Sequence, residues 1–484
     1  MWPSVALALR STRGCGVQRL LWSGSVLDRR SASLREVPKD WLLSLGVQPD
    51  VEQGLSFTNL AASHSHCLVA YKTLPPALPV VKDGIDQEEH QVYPSGLYKV
   101  AAIGRNTFGE LGLGFASQES TWGMVSSGFT GEGGIASLST GLGSSWIVTI
   151  DGASKSLVHA FGNHTSGQLG LGGPSRPYAL SQGGEPQLLL YSSPRSVDVT
   201  GASEGVHIRA ISSGLDHTVI LVDNGEGQQV RTCGINTDGQ LGLPEHRISS
   251  PSLLAIPPSL FQPALPSLDD DPLVGVAAGG DTSIVWTQSG RVWGWGNSEY
   301  GQALVGGGAI DRIDVPTEAT DALKQALAPG ARVVDVKLGG SFVVILDDRG
   351  NVYTAGFGAL GQGKEQLQSH RPVRILSQAT SISAGLEQAS AIVAGSPPSL
   401  FVWGLDSSAG RLSLGQRKPW PSYMIASRFT PDDIERRVYE PVEVTVLRKD
   451  WIGKGSILDV AHGRDAMFVL VEDGVEEVGR WASK

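Results

Sequence analysis

A short glycine-rich stretch recurs along this chain, and the recurrence limits what the chain can fold into. TCGINTDGQLGL at 232–243 returns as AIGRNTFGELGLG at 102–114, FGNHTSGQLGLG at 161–172 and WGNSEYGQAL at 295–304. AGFGALGQG at 355–363 reads as a shortened copy, and WGLDSSAGRLSLG at 403–415 carries one extra residue. Pairs of glycines five apart mark the copies: Gly104/Gly109, Gly162/Gly167, Gly234/Gly239, Gly296/Gly301 and Gly356/Gly361. Glycine costs backbone entropy, so repeated spending at fixed places points to backbone geometry that other residues resist. The leucine after the second glycine supplies a buried plug.

A second element precedes each copy. It is a turn followed by about four residues of strand character. GLDHTVIL (214–221) is the clearest, with Gly214 and His217 in the turn. GSSWIVTI (143–150), GDTSIVW (280–286), GGSFVVIL (339–346), GLEQASAI (385–392) and GRDAMFVL (463–470) follow, and SHSHCLVA (63–70) comes first, which makes seven. Hairpin signals join the elements at Asn224-Gly225, Ser289-Gly290, Arg349-Gly350 and Asp473-Gly474. A repeat period of tens of residues, filled with short strands, predicts small antiparallel sheets set around an axis. The expected fold is therefore all-β: a seven-bladed β-propeller of four-stranded blades with loop insertions.

Composition fits that reading. Of 484 residues 62 are glycine and 18% are charged, too apolar and too weakly charged for disorder. The net charge of −10 argues against a generic nucleic-acid surface, so direct DNA binding is not expected. Cys15, Cys67 and Cys233 lie far apart, with no disulfide or zinc spacing.

The first residues differ from the rest. Arg10, Arg13, Arg19, Arg29, Arg30 and Arg35 precede all acids but Asp28. An Arg-rich, Ser-containing, acid-poor start predicts a mitochondrial targeting segment over 1–35. A linker or closing strand is expected over 36–54, and the propeller over 55–484. An insertion within it spans 416–456. That insertion opens with a basic aromatic patch, Arg417, Lys418, Trp420, Tyr423 and Arg428, a candidate partner contact because such residues dominate interface hot spots. TDALKQALA at 320–328 predicts a short exposed helix.

Catalytic patterns are scarce. GFGALG at 356–361 matches GxGxxG, but it sits in the repeat register and opens no helix, so it reads as a blade turn. His64 and His66 have no third metal ligand in view. His217 reads as a structural hydrogen-bonding residue. No catalytic, cofactor-binding or metal-binding residue is assigned, and no cofactor is expected.

SGLDHT at 213–218 and WGWGNSEYGQ at 293–302 resemble the two halves of the regulator of chromosome condensation repeat, and the resemblance covers about residues 55–484. It implies a seven-bladed propeller whose ring is closed by a strand from the other terminus. GWGNSEYGQ and AGFGALGQG look like late blades of the family's mitochondrial members. This implies a non-catalytic interaction scaffold, not an enzyme, in the matrix or on the matrix face of the inner membrane. It would support assembly of the mitochondrial ribosome or a respiratory-chain complex. The alternative it implies is a guanine-nucleotide exchange factor for a mitochondrial GTPase. Expected partners are mitochondrial proteins, extending to ribosomal RNA–protein particles or a GTPase, with peripheral inner-membrane association and a monomeric state.

Overall fold

In the computed structural model, seven four-stranded antiparallel sheets follow one another around an axis. The structure describes residues 18–27, 29–37, 55–73, 98–126, 133–152, 155–173, 188–199, 206–224, 227–244, 247–257, 260, 271–305, 310–407, 409–415, 436–447 and 455–472.

The N-terminal strands are β1 (Gln18–Val26) and β2 (Arg29–Glu36). Sheet 1 then runs outward from the axis as β3 (Leu55–Ala62), β4 (His66–Thr73), β5 (Tyr98–Asn106) and β6 (Ser117–Met124). Sheet 2 is β7 (Ile135–Thr140), β8 (Ser144–Ile150), β9 (Ser156–Asn163) and β10 (Leu190–Ser196). Sheet 3 is β11 (His207–Ser213), β12 (His217–Asp223), β13 (Gln228–Ile235) and β14 (Ser249–Ala255). Sheet 4 is β15 (Leu273–Gly279), β16 (Thr282–Thr287), β17 (Val292–Asn297) and β18 (Arg312–Glu318). Sheet 5 is β19 (Val333–Leu338), β20 (Phe342–Asp347), β21 (Val352–Phe357) and β22 (Gln368–Leu376). Sheet 6 is β23 (Ala379–Ala384), β24 (Gln388–Val393), β25 (Ser399–Asp406) and β26 (Arg436–Glu443). The last strands are β27 (Ser456–His462) and β28 (Ala466–Glu472). Each innermost strand packs against the next, and β27 packs against β3, so the ring closes. The short helix α1 (Thr320–Ala326) follows β18 and buries Leu323.

The strands form where β-branched and aromatic residues run uninterrupted. TVIL of β12 and VVIL of β20 are buried throughout. Tryptophans 146, 293, 295 and 403 are fully buried between sheets.

Sheet 7 corrects the expected domain boundaries. It is ordered β2-β1-β28-β27, so both termini contribute two strands. Trp22 pairs with Phe468 and Gly24 with Ala466. The closing strands are therefore 18–36, inside the segment expected to be a removable leader, and not 36–54. Leu20, Leu21, Trp22, Val26 and Leu34 are all buried there. At about 2 kcal/mol per buried apolar side chain, these five contribute on the order of 10 kcal/mol, the size of a domain's whole net stability. A cut after residue 35 is incompatible with this ring.

One further boundary changes. The expected insertion at 416–456 contains β26, the outer strand of sheet 6. Its Pro441 is tolerated there because an outermost strand has a free edge.

A chain beginning at Val37 is expected to lose sheet 7. Limited proteolysis should cut it within 455–472, whereas a chain beginning at Gln18 should resist there. Equal resistance of the two would contradict the ring closure.

Candidate functional site

The turn between the first two strands of each sheet and the loop between its last two strands leave on one face of the ring. The residues read from the repeat build this face. Gly234 pairs with His217 across β12 and β13, and its φ is 108°. A Cβ there would collide with the carbonyl oxygen of Asp216 in the first turn. Gly24, Gly104, Gly162, Gly296, Gly356 and Gly404 hold the same place in the other sheets, each at positive φ against the corresponding carbonyl. The second glycine faces the neighbouring sheet. Gly109, Gly167, Gly239 and Gly301 lie against Ser192, Pro251, Asp314 and His370, all on the outer strand of the next sheet. Gly361 needs correction: a Cβ there would meet Trp403, as one at Gly242 would meet Trp295. It matches the third glycine of the motif, because the sheet 5 loop has lost three residues.

The loop after each second glycine crosses to the next sheet. In sheet 3 the carbonyl of Gln240 accepts hydrogen bonds from Ser283 Oγ (2.9 Å) and Trp295 Nε1 (2.9 Å) of sheet 4. Its amide donates to Asp281 Oδ1 at 3.1 Å, and Gln168 does the same to Asp216 at 3.1 Å. Adjacent first turns are tied by backbone bonds from Leu142 to Leu215, Leu215 to Gly280 and Gly340 to Leu386. Gly214, in the first turn, donates its N–H to the His217 carbonyl at 2.9 Å. The leucine plugs Leu111, Leu169 and Leu241 have no exposed surface.

Among the described residues histidine and serine meet at three junctions without forming a catalytic pair, one of them His462 Nε2 and Ser390 Oγ at 2.8 Å. His217 Nε2 lies 2.9 Å from Ser283 Oγ, and His66 Nε2 lies 2.5 Å from Ser145 Oγ. Ser283 and Ser145 give their protons to the carbonyls of Gln240 and Glu110, so each imidazole donates rather than accepts. Burial pushes His66 down to about 3 and His217 down to about 4, which keeps both neutral. These histidines bolt neighbouring sheets together. Among the described residues no three His, Cys, Asp or Glu side chains are grouped to hold a metal ion, His64 and His66 included. The central channel holds about 350 Å³ and is lined by small residues such as Ser139, Ser213 and Ser383. Lys337 lies in it, 3.1 Å from Asp335. Burial raises Asp459, also in the channel, to about 6 against the pull of Lys337.

The face carries an unforeseen row of apolar side chains. Phe115, Leu188, Ile248, Ile310 and Leu367 are exposed just ahead of the outer strands of sheets 1 to 5. Phe357 stacks on Tyr300 with ring centroids 4.9 Å apart. The row was legible as one apolar residue before each outer strand, but only once those strands were placed. The basic aromatic patch Arg417, Lys418, Trp420, Tyr423 and Arg428 lies outside the described residues.

The model described as "Regulator of chromosome condensation (RCC1) repeat" matches residues 208–240 and 273–302. The RCC1-like G exchanging factor-like protein of Mus musculus is 28% identical over 280 residues, 54% of this chain and 53% of that protein. The secretion-regulating guanine nucleotide exchange factor of Bos taurus is 29% identical over 263 residues, 54% of this chain and 48% of that protein. The chain thus spans about half the length of these curated relatives. Human WBSCR16 superposes with a TM-score of 0.63 at 21% identity, over 95% of this chain and 100% of that one. Prp20p of Saccharomyces cerevisiae, described with its binding properties to Gsp1p and histones, has a TM-score of 0.63 at 15% identity, over 96% of this chain and 93% of that one. Both structural likenesses are of fold.

Glu110 stands where other sheets have Gln168, Gln240 and Gln302, and accepts the Phe108 N–H at 2.7 Å. Burial lifts its carboxyl from 4.5 to about 7. A carboxyl raised in the folded state binds its proton more tightly there, so stability is lost as pH rises from about 4.5 to about 7. Glu110→Gln should therefore match the parent near pH 4.5 and exceed it by up to ~3 kcal/mol at pH 8. Urea denaturation at the two pH values checks this; parallel behaviour at both would contradict it.

Proposed function

Because this chain belongs to the regulator of chromosome condensation repeat family, we propose that it is a guanine-nucleotide exchange factor whose loop-bearing face docks a small GTPase. The observation that carries this reading is the similarity, across half the chain, to two proteins named as exchange factors. That similarity favours exchange over the non-catalytic scaffold expected from the sequence. The face supports it physically. An exchange factor binds the nucleotide-free state of its partner better than the loaded state, and makes or breaks no bond. A rigid surface serves this, since a compliant one would adapt to both states. The exposed row from Phe115 to Leu367 gives such a partner an apolar strip on an otherwise hydrogen-bonded platform.

The proposed compartment is the mitochondrion. Residues 1–17, which precede the first strand, contain Arg10 and Arg13 and no acidic residue. A leader of that length can be removed without opening sheet 7. In the scaffold reading the same face holds partners with no effect on nucleotide release.

Purified chain should speed release of fluorescent GDP from at least one mitochondrial small GTPase by about tenfold or more. Ile248→Asp and Leu367→Asp should weaken that effect about tenfold while leaving the melting temperature unchanged. Binding of a GTPase with no change in GDP release would replace exchange with the scaffold reading.

A further inference from the structure

One junction of the ring is built differently from the other six. The carbonyls of Glu110, Gln168, Gln240, Ala359 and Arg411 each accept a side-chain hydrogen bond from the following sheet. Gly301 of sheet 4 packs on His370 of sheet 5. From sheet 7 to sheet 1 the crossing loop is missing, since β1 ends at Val26 and β2 starts at Arg29.

A cavity of about 90 Å³ occupies the place of that loop, lined by Leu27, His64, Ser65, Arg105, Ser120 and Arg464 among others. The correspondence follows from register. Gly104 pairs with Thr121 as Gly296 pairs with Ile313. Arg105 and Ser120 thus stand where Asn297 and Arg312 receive the loop of sheet 3. There the loop brings acceptors: the Thr237 carbonyl takes Arg312 Nη1 at 2.6 Å and the Asp238 carboxylate takes Asn297 Nδ2 at 3.3 Å. Here the gap is faced mainly by donors: two guanidinium groups and the hydroxyls of Ser25 and Ser120. Among the described residues lining it the carboxylate of Asp465 opposes them, its Oδ2 3.9 Å from Arg464 Nε, and Asp28, next to Leu27 in sequence, lies outside the described residues. His64 sits beside the gap with a buried Nδ1 that has no hydrogen-bond partner. Burial first, then Arg464 and Arg105, lowers its pKa, while Asp465 and Glu387 raise it.

We propose that this cavity binds an orthophosphate-sized oxyanion, which supplies the missing acceptor and ties sheet 7 to sheet 1. The volume is that of about three waters at ~30 Å³ each, enough for a phosphate group and too small for a nucleoside. Arginine forks match phosphate oxygens. Because sheet 7 joins both terminal segments, the anion acts as a clasp and stabilises the closed ring by mass action. The assignment does not depend on exchange activity.

The test uses the full chain and inorganic phosphate, at ionic strength matched with chloride. Calorimetry should show saturable binding with a stoichiometry of one, and the melting temperature should rise over the same range. Arg105→Gln and Arg464→Gln should each weaken binding about tenfold. Arg349→Gln, on the opposite face, should leave it unchanged. Arg105 and Arg464 are both exposed, so both variants should fold. Absence of saturable binding, or equal binding by Arg105→Gln, would overturn the site. Tighter binding of a phosphoserine peptide than of orthophosphate would overturn its assignment to a free ion.

Discussion

Seven glycines, each pressed against a carbonyl of the neighbouring turn, set the geometry of this molecule. At Gly24, Gly104, Gly162, Gly234, Gly296, Gly356 and Gly404 the third strand of a sheet passes so close to the first turn that a Cβ has no room. The positive φ at the same residues bends the chain toward the next sheet. The loop can then cross the junction and present a carbonyl to the neighbour. Packing and hydrogen bonding at the junctions that have this loop follow from that crossing.

The result is a face with little freedom and little reactivity. The junction histidines His66 and His217 are buried and neutral, and the serines they meet give their protons to carbonyls. Its carboxylates Asp216 and Asp281 accept from glutamine amides. A surface organised this way recognises shape and apolar contact. In the exchange reading proposed above, its action on a partner would consist in selecting between the partner's conformations.

Much of this was legible in the sequence, because the repeated glycines are required by backbone geometry and cannot drift. The blade count and strand character followed from them. What was hidden lay where the motif is cut short. Trp22-Ser23-Gly24 is the third-strand signature of sheet 7, but without the Asn-x-x-Gly-Gln-Leu-Gly tail it did not stand out from an arginine-rich start. The shortened loop of sheet 5 placed a glycine five residues after Gly356 by coincidence, so Gly361 was matched to the wrong partner. In sheet 2 the first turn begins at Gly141, whose N–H reaches the Ser144 carbonyl, and not at Gly143. Spacing alone could not separate those two. The cavity at the closing junction was invisible for a related reason. It arises from a loop that is missing, and only the register of the other junctions shows what would have filled it.

Hydrogen–deuterium exchange of the intact chain tests the central claim most directly. If residues 18–26 are the inner closing strand, their amides should exchange as slowly as those of β28, the strand they pair with. Both should open together in a single cooperative event under denaturant. Rapid exchange across 18–26, with protection kept elsewhere in the ring, would contradict the account.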